Sequence, residues 1–281
     1  MLNRAILKSV GGKGQQVAEL LTLVPPNIQT YYEPFAGSLA LFWALKQAGL
    51  INGGSVINDV NSLVTDVYRA VQEDAQGLAD ALDQMRELRG REVFERFRNE
   101  MNVYGLPQEA FGGRAPLTLP ERAARTIYMN RRGFNGLFRV NKSGALNMPW
   151  GEDSALTPVD RILEAGRMLQ GVTIHSGDFE HALAGASRND FVFADPPYIG
   201  TFSGYAGTFG LRDHRRLERV LASLDSIGVR WMVCNSESPE VRQIWRKWKF
   251  QNVLCRRSGN SNGEGRGPIP ELRISNYEVP R

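Results

Sequence analysis

The sequence predicts an α/β fold in which a doubly wound, mostly parallel sheet is interrupted by a mostly helical insertion. Short apolar runs alternate with helical stretches in residues 1–69 and again in residues 152–281. Between these two parts, in residues 70–151, the alternation stops and charged sequence of helical character takes over. The chain is 42% hydrophobic, which indicates a packed globular protein. We therefore expect a core built from the first and last parts and an insertion built from the middle part.

The predicted elements before the insertion are a strand over 28–32, a helix over about 38–49, a strand over 54–58 and a helix from about 62. Inside the insertion, glycine and proline predict breaks in the helical sequence at residues 105–107 and 112–116.

After the insertion, strands and helices alternate again, as expected for a parallel sheet with crossover helices. The predicted elements are a helix near 159–169, strands at 172–175 and 191–194, a helix near 213–226, a strand at 229–234 and a helix near 239–247. Residues 250–280 resemble β structure that is interrupted at 258–265 by a run rich in Gly, Ser and Asn, which predicts a mobile loop.

Composition narrows the class of protein. The net charge of +4 and the pI of about 9.2 suit a polyanionic partner, although many proteins are equally basic without one. The only cysteines are Cys234 and Cys255, and no His or Cys spacing suggests metal ligands, so we expect no disulfide framework and no metal. No apolar run approaches the ~20 residues of a membrane span, and the first residues lack a signal-peptide core. We therefore expect a cytoplasmic protein without a membrane partner.

The tetrapeptide Asp195-Pro196-Pro197-Tyr198 follows the apolar run 191–194, which is typical of a strand buried on both faces. Ligands of open α/β sheets bind at the carboxyl ends of the strands, where this tetrapeptide lies. The Asp195 carboxylate and the Pro196 carbonyl could both accept hydrogen bonds from the exocyclic amino group of a nucleobase and free its lone pair. Tyr198 could stack on an extruded base. Alternatively, the motif is an ordinary Pro-rich turn in which Tyr198 packs as cover.

The turn after the first predicted strand, Glu33 to Ser38, contains one glycine and is not a GxGxxG dinucleotide fingerprint. Asp59 ends the next strand, where an acid can accept hydrogen bonds from ribose hydroxyls. This pairing without a phosphate loop suits a nucleoside that lacks phosphate, such as S-adenosyl-L-methionine. The alternatives are an ordinary tight turn at Gly37 and an acid near a helix N-terminus at Asp59.

The longest motif spans Asn130 to Asn141 and continues through Gly144, Asn147, Pro149 and Gly151. Together with Asp195 to Tyr198 and the Glu33 turn, it resembles the Dam-type (D12 class) DNA N6-adenine methyltransferase family, and the motifs follow the order of that family. The resemblance implies a Rossmann-like S-adenosylmethionine-dependent methyltransferase core with a mostly helical DNA-recognition insertion that carries a β-hairpin. It also implies transfer of a methyl group to a flipped adenine, in the family's GATC site, by a monomeric enzyme that acts on double-stranded DNA.

The resemblance assigns residues to three roles. The catalytic residues are Asp195, Pro196, Pro197 and Tyr198. The residues implied to bind the cofactor are Ser9, Gly12, Lys13, Glu33, Pro34, Phe35, Gly37, Asp59, Asp178, Phe179 and Asp195. The residues implied to bind DNA are Lys8, Asn130, Arg131, Asn135, Leu137, Arg139, Asn141 and Lys142.

The segment 134–147 is expected to form the DNA-reading hairpin, in which Arg139 reads a guanine and Lys142 lies at the tip near phosphate. Basic pairs at 131–132 and 256–257 are further phosphate candidates. Two positions depart from the family: Ser9 stands where an aromatic residue is common, and Leu39 where the turn usually has a second glycine. Both departures bear on cofactor affinity.

Other classes remain open at the level of the sequence. A DNA-binding protein with an inactive or altered-specificity methyltransferase core would be compatible with Ser9 and Leu39. A glutamine or RNA methyltransferase would tend to have Asn in place of Asp195, and a cytosine amino-methyltransferase would usually have Ser there. A nicotinamide oxidoreductase is disfavoured because the glycine-rich fingerprint is absent.

Overall fold

The computed structural model describes residues 5–9, 11–103, 117–199, 209–255 and 269–279. The helices are α1 (Val17–Leu23), α2 (Ala40–Ala48), α3 (Ser62–Glu73), α4 (Ala75–Asp83), α5 (Arg91–Val103), α6 (Leu119–Arg132), α7 (Val159–Leu169), α8 (Phe179–Leu183), α9 (Leu211–Ser226) and α10 (Pro239–Ile244). The strands are β1 (Tyr31–Glu33), β2 (Ser55–Asp59), β3 (Val172–Ser176), β4 (Phe191–Ala194), β5 (Arg230–Ser236), β6 (Lys249–Cys255) and β7 (Ile269–Ser275).

The strands form one seven-stranded sheet in the order β3-β2-β1-β4-β5-β7-β6. The first five of these are parallel, while β7 runs antiparallel to β5 and to β6. The chain order reverses between β1 and β4, and a parallel α/β sheet binds its ligands at the carboxyl ends of the strands on either side of such a point. This places the turn after β1 and the tetrapeptide after β4 side by side.

Alternating side chains of the central strands serve two separate cores. Phe191 and Phe193 of β4 face the core that contains α2, α3 and the insertion helices, whereas Val192 and Ala194 face the core covered by α9 and α10. All four residues are buried, as expected for a parallel strand covered on both sides. The prediction of a doubly wound sheet is confirmed.

The insertion helices extend the first core. Apolar residues of α4, α5 and α6 belong to the same buried cluster as those of α3 and α7. Helix α6 begins with a capping box, in which the Thr118 side chain and Glu121 bond to each other's backbone amides. The proposed division into residues 1–69 plus 152–281 and residues 70–151 stays a prediction, since the two parts share this core.

The predicted elements agree with the structure except at several ends. Helix α7 and strand β4 have the predicted bounds, but β1 begins at Tyr31 because Ile28 forms only an isolated bridge with Ile51. Helix α2 begins at Ala40, after Leu39, which adopts the left-handed conformation with φ 55°. The chain leaves α10 at Trp245, which is buried against Trp231 at 5.8 Å between ring centroids.

The predicted hairpin is short: Val140 and Leu146 form an antiparallel bridge, and residues 141–144 form the turn. The predicted breaks at 105–107 and 112–116, the loop at 258–265 and the basic pair 256–257 lie outside the described residues. Within the described ranges, no helix is both long enough and apolar enough to cross a membrane.

Arg132 is not a phosphate contact, because its side chain is 1% exposed at the end of α6. Its guanidinium donates to the Tyr128 hydroxyl at 2.8 Å and to the Ser154 and Arg86 carbonyls at 3.2 and 3.3 Å, and also to the Leu88 carbonyl. It therefore ties α6 to the segment between α4 and α5 and to the segment that follows the insertion.

Candidate active site

The Asp195 carboxylate lies at the carboxyl end of β4 and forms an ion pair with Lys13, whose Nζ is 2.7 Å from Oδ1. The Lys13 side chain is only 4% exposed. Burial by itself lowers the pKa of Lys13, but Asp195 and Glu271 outweigh it, so the net pKa is raised and the ammonium stays charged. Burial raises the pKa of Asp195, and Lys13 opposes that shift. The structure thus brings Lys13 and Asp195 together, while their roles stay a prediction.

Tyr198 is 9% exposed and donates from its hydroxyl to Glu271 Oε2 at 2.9 Å. The Lys13 ammonium lies 5.0 Å from the centroid of its ring. Arg273, two residues after Glu271 on β7, donates to the same carboxylate oxygen at 3.1 Å. Glu271 and Arg273 were missed by sequence reasoning, although two charges at i and i+2 in an otherwise apolar strand are an indication of a polar site on one face.

His214 supports the tetrapeptide from α9 and was also missed. Its Nε2 is 3.1 Å from the Pro197 carbonyl oxygen and its Nδ1 is 3.3 Å from Asn235 Nδ2. Burial lowers the pKa of His214 to about 4, so the ring is neutral at pH 7. A neutral ring has one donor and one acceptor, which fits donation from Nε2–H to Pro197 and acceptance at Nδ1 from Asn235.

The turn after β1 is organised by Asp59 and Tyr68. Asp59 Oδ2 accepts from the Gly37 amide and Oδ1 from the Asn61 amide, both at 2.9 Å. The Tyr68 hydroxyl donates to the Gly37 carbonyl at 2.6 Å. Gly37 has φ 47°, and a Cβ there would lie 3.1 Å from Ser9 Oγ, so the position favours glycine in two ways. Burial raises the pKa of Asp59, an effect that its two amide donors oppose.

Leu39 occupies the place where a second glycine was expected. It has φ 55° and ψ 35°, and its side chain is fully buried. The left-handed conformation costs a non-glycine residue roughly 1–2 kcal/mol. Burial of the leucine offsets that cost, since a fully buried Leu contributes about 1.5–3 kcal/mol. The tight turn is therefore kept without the glycine.

Asn58 joins the ends of two strands. Its Nδ2 donates to the Pro34 and Gly177 carbonyls, both at 3.0 Å, which fixes the turns after β1 and β3 to one another. Asp59 and Asp178 thereby lie at the same edge of the sheet, while their binding of the cofactor stays a prediction.

Asp178 begins α8, where its Oδ1 accepts from the Glu180 amide at 3.0 Å and its carboxylate forms an ion pair with Arg216. The Arg216 guanidinium lies 4.5 Å from the centroid of the Phe179 ring. The Phe35 and Phe179 rings are 5.5 Å apart. An aromatic pair flanked by carboxylates is suited to a planar heterocycle with hydrogen-bond donors. Arg216 was not predicted from the sequence.

Glu33 does not belong to an exposed binding site, which corrects the prediction. Its side chain is 3% exposed, accepts from the Tyr31 hydroxyl at 2.7 Å and also bonds to the Phe42 backbone amide. Burial is the main cause that raises the pKa of Glu33 to about 8, with Asp195 adding to it. The carboxyl is therefore protonated at pH 7 and supports the turn from beneath.

Replacing Glu33 by glutamine should make the protein less sensitive to alkaline pH. The folded protein holds the Glu33 proton more tightly than the unfolded chain does, so stability falls as pH rises from about 4.5 to about 8. Glu33→Gln removes this loss, which is on the order of a few kcal/mol, and should match wild type near pH 5 but exceed it at pH 9. Urea unfolding at both pH values measures the effect, with the exposed Glu92→Gln as control. Parallel pH dependences of wild type and Glu33→Gln would contradict the assignment.

Asn130 is likewise not available to DNA. It is fully buried, its Oδ1 accepts from the Lys8 amide at 2.7 Å, and its Nδ2 donates to the Lys8 and Gly136 carbonyls at 2.9 and 3.0 Å. The side chain thus anchors the N-terminal segment and the start of the hairpin to α6. Lys8 itself donates from Nζ to the Arg131 carbonyl at 2.7 Å, and burial is the main cause that lowers its pKa.

The remaining predicted DNA contacts lie on or near the hairpin. Asn135 and Lys142 are exposed, and Arg131, Leu137 and Arg139 are half-buried. Arg131 Nε donates to Thr157 Oγ1 at 3.2 Å, and Arg139 Nε to the Asn147 carbonyl at 3.0 Å.

Asn141 forms the turn of the hairpin. Its Oδ1 accepts from the amides of Ser143 and Ala145, both at 3.0 Å, and from the Ser143 hydroxyl. The prediction that its side chain contacts DNA therefore changes: the acceptor is committed to the turn that presents Lys142.

The sheet with its carboxyl-edge acids and the acidic Pro-Pro-Tyr motif defines the methyltransferase class of α/β proteins, and comparison with known proteins identifies the branch. A family model described as D12 class N6 adenine-specific DNA methyltransferase matches residues 9–258. The chain is 32% identical to the Type II methyltransferase M1.LlaDCHI of Lactococcus lactis subsp. cremoris, covering 98% of this chain and 95% of that protein. It is 30% identical to the Retron Ec67 DNA adenine methylase of Escherichia coli, covering 96% and 90%.

A further relative is the DNA adenine methylase of Salmonella typhi, which is 27% identical over 96% of this chain and 94% of that protein. The chain therefore belongs to the D12 class N6 adenine-specific DNA methyltransferase family. It is an adenine-specific DNA methyltransferase with a Rossmann-like core, acts on DNA and requires a methyl donor. The family match disfavours the oxidoreductase and the glutamine, RNA and cytosine methyltransferase alternatives.

Proposed function

We propose that this enzyme transfers a methyl group from S-adenosyl-L-methionine to the N6 amino group of an adenine flipped out of double-stranded DNA, within GATC. The observation that carries the proposal is the Asp195 carboxylate, which lies at the carboxyl end of β4, pairs with the buried Lys13 and precedes the buried Tyr198 by three residues. A carboxylate there can accept from an amino group that no duplex-bound base could bring to it, which is why flipping is required.

The chain's own residues prepare the amino group. Asp195 and the Pro196 carbonyl accept its two hydrogens, which frees the nitrogen lone pair that is otherwise delocalised into the ring. His214 holds the neighbouring Pro197 carbonyl and so keeps the tetrapeptide backbone in place. When bound, the donor supplies an electrophilic methyl group on a sulfonium sulfur. Asp195 orients and polarises the amino group and does not need to act as a general base, because the methylated product is acidic and loses a proton readily.

The Lys13 ammonium has to move away from Asp195 before the substrate amino group can bind to this carboxylate. The ammonium is 2.7 Å from Asp195 Oδ1 and 5.0 Å from the Tyr198 ring centroid. Asp195 and the Tyr198 ring are the two groups that are proposed to contact the adenine. A flexible lysine side chain can move by rotation about its side-chain bonds. We propose that Lys13 occupies the substrate position in the free enzyme, where its ammonium opposes the rise in the pKa of Asp195 that burial causes.

The residues at the carboxyl edge fit the proposed donor. Asp59 suits the ribose hydroxyls and Asp178 the adenine amino group, while Phe179, next to Asp178, lies on the adenine side. Pro34, Gly37, Ser9, Gly12 and Phe35 shape the methionine end. Arg216 competes for the Asp178 carboxylate and must share it with the cofactor.

Replacing Asp59 by alanine should weaken binding of S-adenosylmethionine by roughly tenfold or more, because a buried charged acceptor is lost from a polar ligand. Titration calorimetry measures the affinity. Asp59→Asn removes the charge but keeps one oxygen for the Gly37 amide, which is 2.9 Å from Oδ2 in the wild type. It therefore separates the loss of charge from the loss of the turn contact. Equal affinities of wild type and Asp59→Ala would remove Asp59 from the site.

Arg139 is proposed to read a guanine of the target in the major groove. Its Nε bond to the Asn147 carbonyl orients the guanidinium while its Nη groups can donate to a base edge. Asn135 and Leu137, beside it, would contact neighbouring bases or fill the space left by the adenine, and Arg131 and Lys8 would act nearby.

Arg139→Ala should lower affinity for the target by about 1–3 kcal/mol and relax discrimination at one base pair. Lys142→Ala, at the exposed hairpin tip, should weaken all sequences alike and reduce the salt dependence of binding. Binding isotherms on GATC duplexes and on duplexes with single base changes, at several salt concentrations, distinguish the two. Loss of specificity in Lys142→Ala rather than in Arg139→Ala would reverse these roles.

The proposed function is tested with radiolabelled donor and DNA, followed by mapping of methylated adenines by long-read sequencing of DNA from cells that express the enzyme. We expect methylation at N6 of adenine within GATC. A methylated motif without guanine would contradict the role of Arg139 and leave the adenine chemistry intact, whereas absence of transfer to DNA would contradict the proposed reaction.

A further inference from the structure

A network of buried charges lies beneath the catalytic tetrapeptide and is supplied largely by β7. It consists of Lys13, Asp195, Tyr198, Glu271 and Arg273, and we call it the β7 charge network. The side chains of Lys13, Glu271 and Arg273 are at most 4% exposed. Two cations and two anions make it neutral overall.

Burying four charges is costly and does not add stability by itself. Glu271 and Arg273 sit on the same face of β7, a strand that is paired on both edges, with β5 and with β6. Purely apolar side chains would fill such an interior position at lower cost. The contacts of Tyr198 indicate a role for the charges of Glu271 and Arg273 other than stabilising the fold.

Glu271 is the centre of the network. Its Oε2 accepts from the Tyr198 hydroxyl at 2.9 Å and from Arg273 Nη1 at 3.1 Å. Arg273 is fixed in turn by the carboxamide of Gln16, three residues after Lys13. The N-terminal segment, β7 and the tetrapeptide are thereby joined by side chains 73 positions apart or more.

Glu271 also attracts the Lys13 ammonium, which Asp195 holds in the free enzyme. If an amino group takes over Asp195, the displaced ammonium remains buried and needs a second anion. Glu271 is the anion available within the network. The same carboxylate thus fixes the plane of the Tyr198 ring and balances the charge that the substrate displaces.

We propose that Glu271, braced by Arg273, is a positioning residue for methyl transfer, acting through the Tyr198 hydroxyl and the Lys13 ammonium on the placement of the target adenine against Asp195. The inference rests on the proposed function and deepens it. Glu271, which is 3% exposed, acts through the Tyr198 hydroxyl and the Lys13 ammonium and is therefore not a catalytic residue.

The test uses Glu271→Gln, which keeps the shape of the side chain and an acceptor for Tyr198 but removes the charge. The matched control is Glu278→Gln, the same change on an exposed glutamate whose side chain is 87% exposed. We expect Glu271→Gln to lower kcat by roughly tenfold to hundredfold, as misplacement of a reacting group does, while KM for the donor and the affinity for S-adenosylmethionine stay near wild type. Glu278→Gln should leave all three unchanged.

Tyr198→Phe supplies the second arm, because it keeps the ring and removes only the hydroxyl that Glu271 holds. Glu271→Gln in the Tyr198→Phe background should then cost less than it does in wild type. Fluorescence of 2-aminopurine at the target position should show a less completely stacked base in both single variants. Wild-type kcat for a folded Glu271→Gln, or fully additive effects on kcat, would overturn the proposal.

A double-mutant cycle on stability tests the contact between Tyr198 and Glu271 independently of the proposed function. Urea midpoints of wild type, the two single variants and the double variant report whether Tyr198 and Glu271 are coupled even without activity. Additive shifts would overturn the proposed contact, and non-additive shifts support it. If wild type methylates no adenine, the proposed function fails, and the coupling in the unfolding cycle still decides whether Glu271 holds Tyr198.

Discussion

Asp195→Ala should reduce adenine methylation by about 10²-fold or more while DNA binding changes little. Removing a preorganised electrostatic acceptor from a closed site typically costs on the order of 10²–10³ in rate. The carboxylate is paired with Lys13 at 2.7 Å, whereas the hairpin that is proposed to bind DNA is a separate segment closed by the Val140–Leu146 bridge. Single-turnover transfer of radiolabelled methyl groups, at saturating donor and DNA, measures the chemical step apart from binding.

Two further variants sharpen this prediction. Asp195→Asn retains one acceptor oxygen and should keep more activity than the alanine variant, whereas the exposed Asp160→Ala on α7 should behave as wild type. Because alanine leaves the buried Lys13 ammonium without its closest anion, urea unfolding of each variant is measured in parallel. Near-wild-type transfer by a folded Asp195→Ala would remove Asp195 from the reaction.

Arg132→Met should destabilise the protein by roughly 3–5 kcal/mol, a large part of the ~5–15 kcal/mol that stabilises a typical domain. Methionine fills a similar volume but removes one donor from each of the carbonyls of Arg86, Leu88 and Ser154. It also removes the guanidinium that lies 4.4 Å from the Tyr128 ring centroid. The free energy of unfolding in urea measures the loss.

The matched control is Arg91→Met on α5, where the arginine side chain is 73% exposed and pairs with Glu95. An exposed pair of this kind contributes about 0.2–1 kcal/mol. A stable Arg132→Met that had lost DNA affinity would instead restore the sequence-based interpretation of Arg132 as a phosphate contact. Equal destabilisation by both substitutions would show that the buried contacts of Arg132 have little weight.

Local patterns were sufficient for much of the fold. The run 191–194 predicted a strand buried on both faces, and β4 has those bounds, because four consecutive apolar residues cannot be accommodated on a half-exposed strand. Helix α7 was predicted with its observed ends from its own periodicity. The ends of β1 and α10 were less predictable, since they depend on partners such as Ile51 and Trp231 that lie elsewhere in the chain.

The candidate site divides in the same way. Asp195, Tyr198, Asp59 and Asp178 could be assigned to one edge of the sheet because residues that end parallel strands lie together whatever their separation in sequence. Glu271 and Arg273 could not be assigned, since only the insertion of β7 between β5 and β6 brings them beneath Tyr198.

The sequence determined the chemistry of the motifs, whereas the tertiary structure alone determined which of their polar residues are buried. The motifs alone indicated the chemistry, an acid beside two prolines and an aromatic ring, and the family confirmed adenine-specific DNA methylation. Packing determined whether a polar residue of a motif is free to contact a ligand or is bonded to the protein. Asn130 bonds to Lys8, 122 positions away, and Glu33 is buried beside α2. The reason is physical, because residue type and spacing fix backbone preference and chemistry over a few residues. Desolvation and charge pairing are fixed by distant segments that only the folded chain brings into contact.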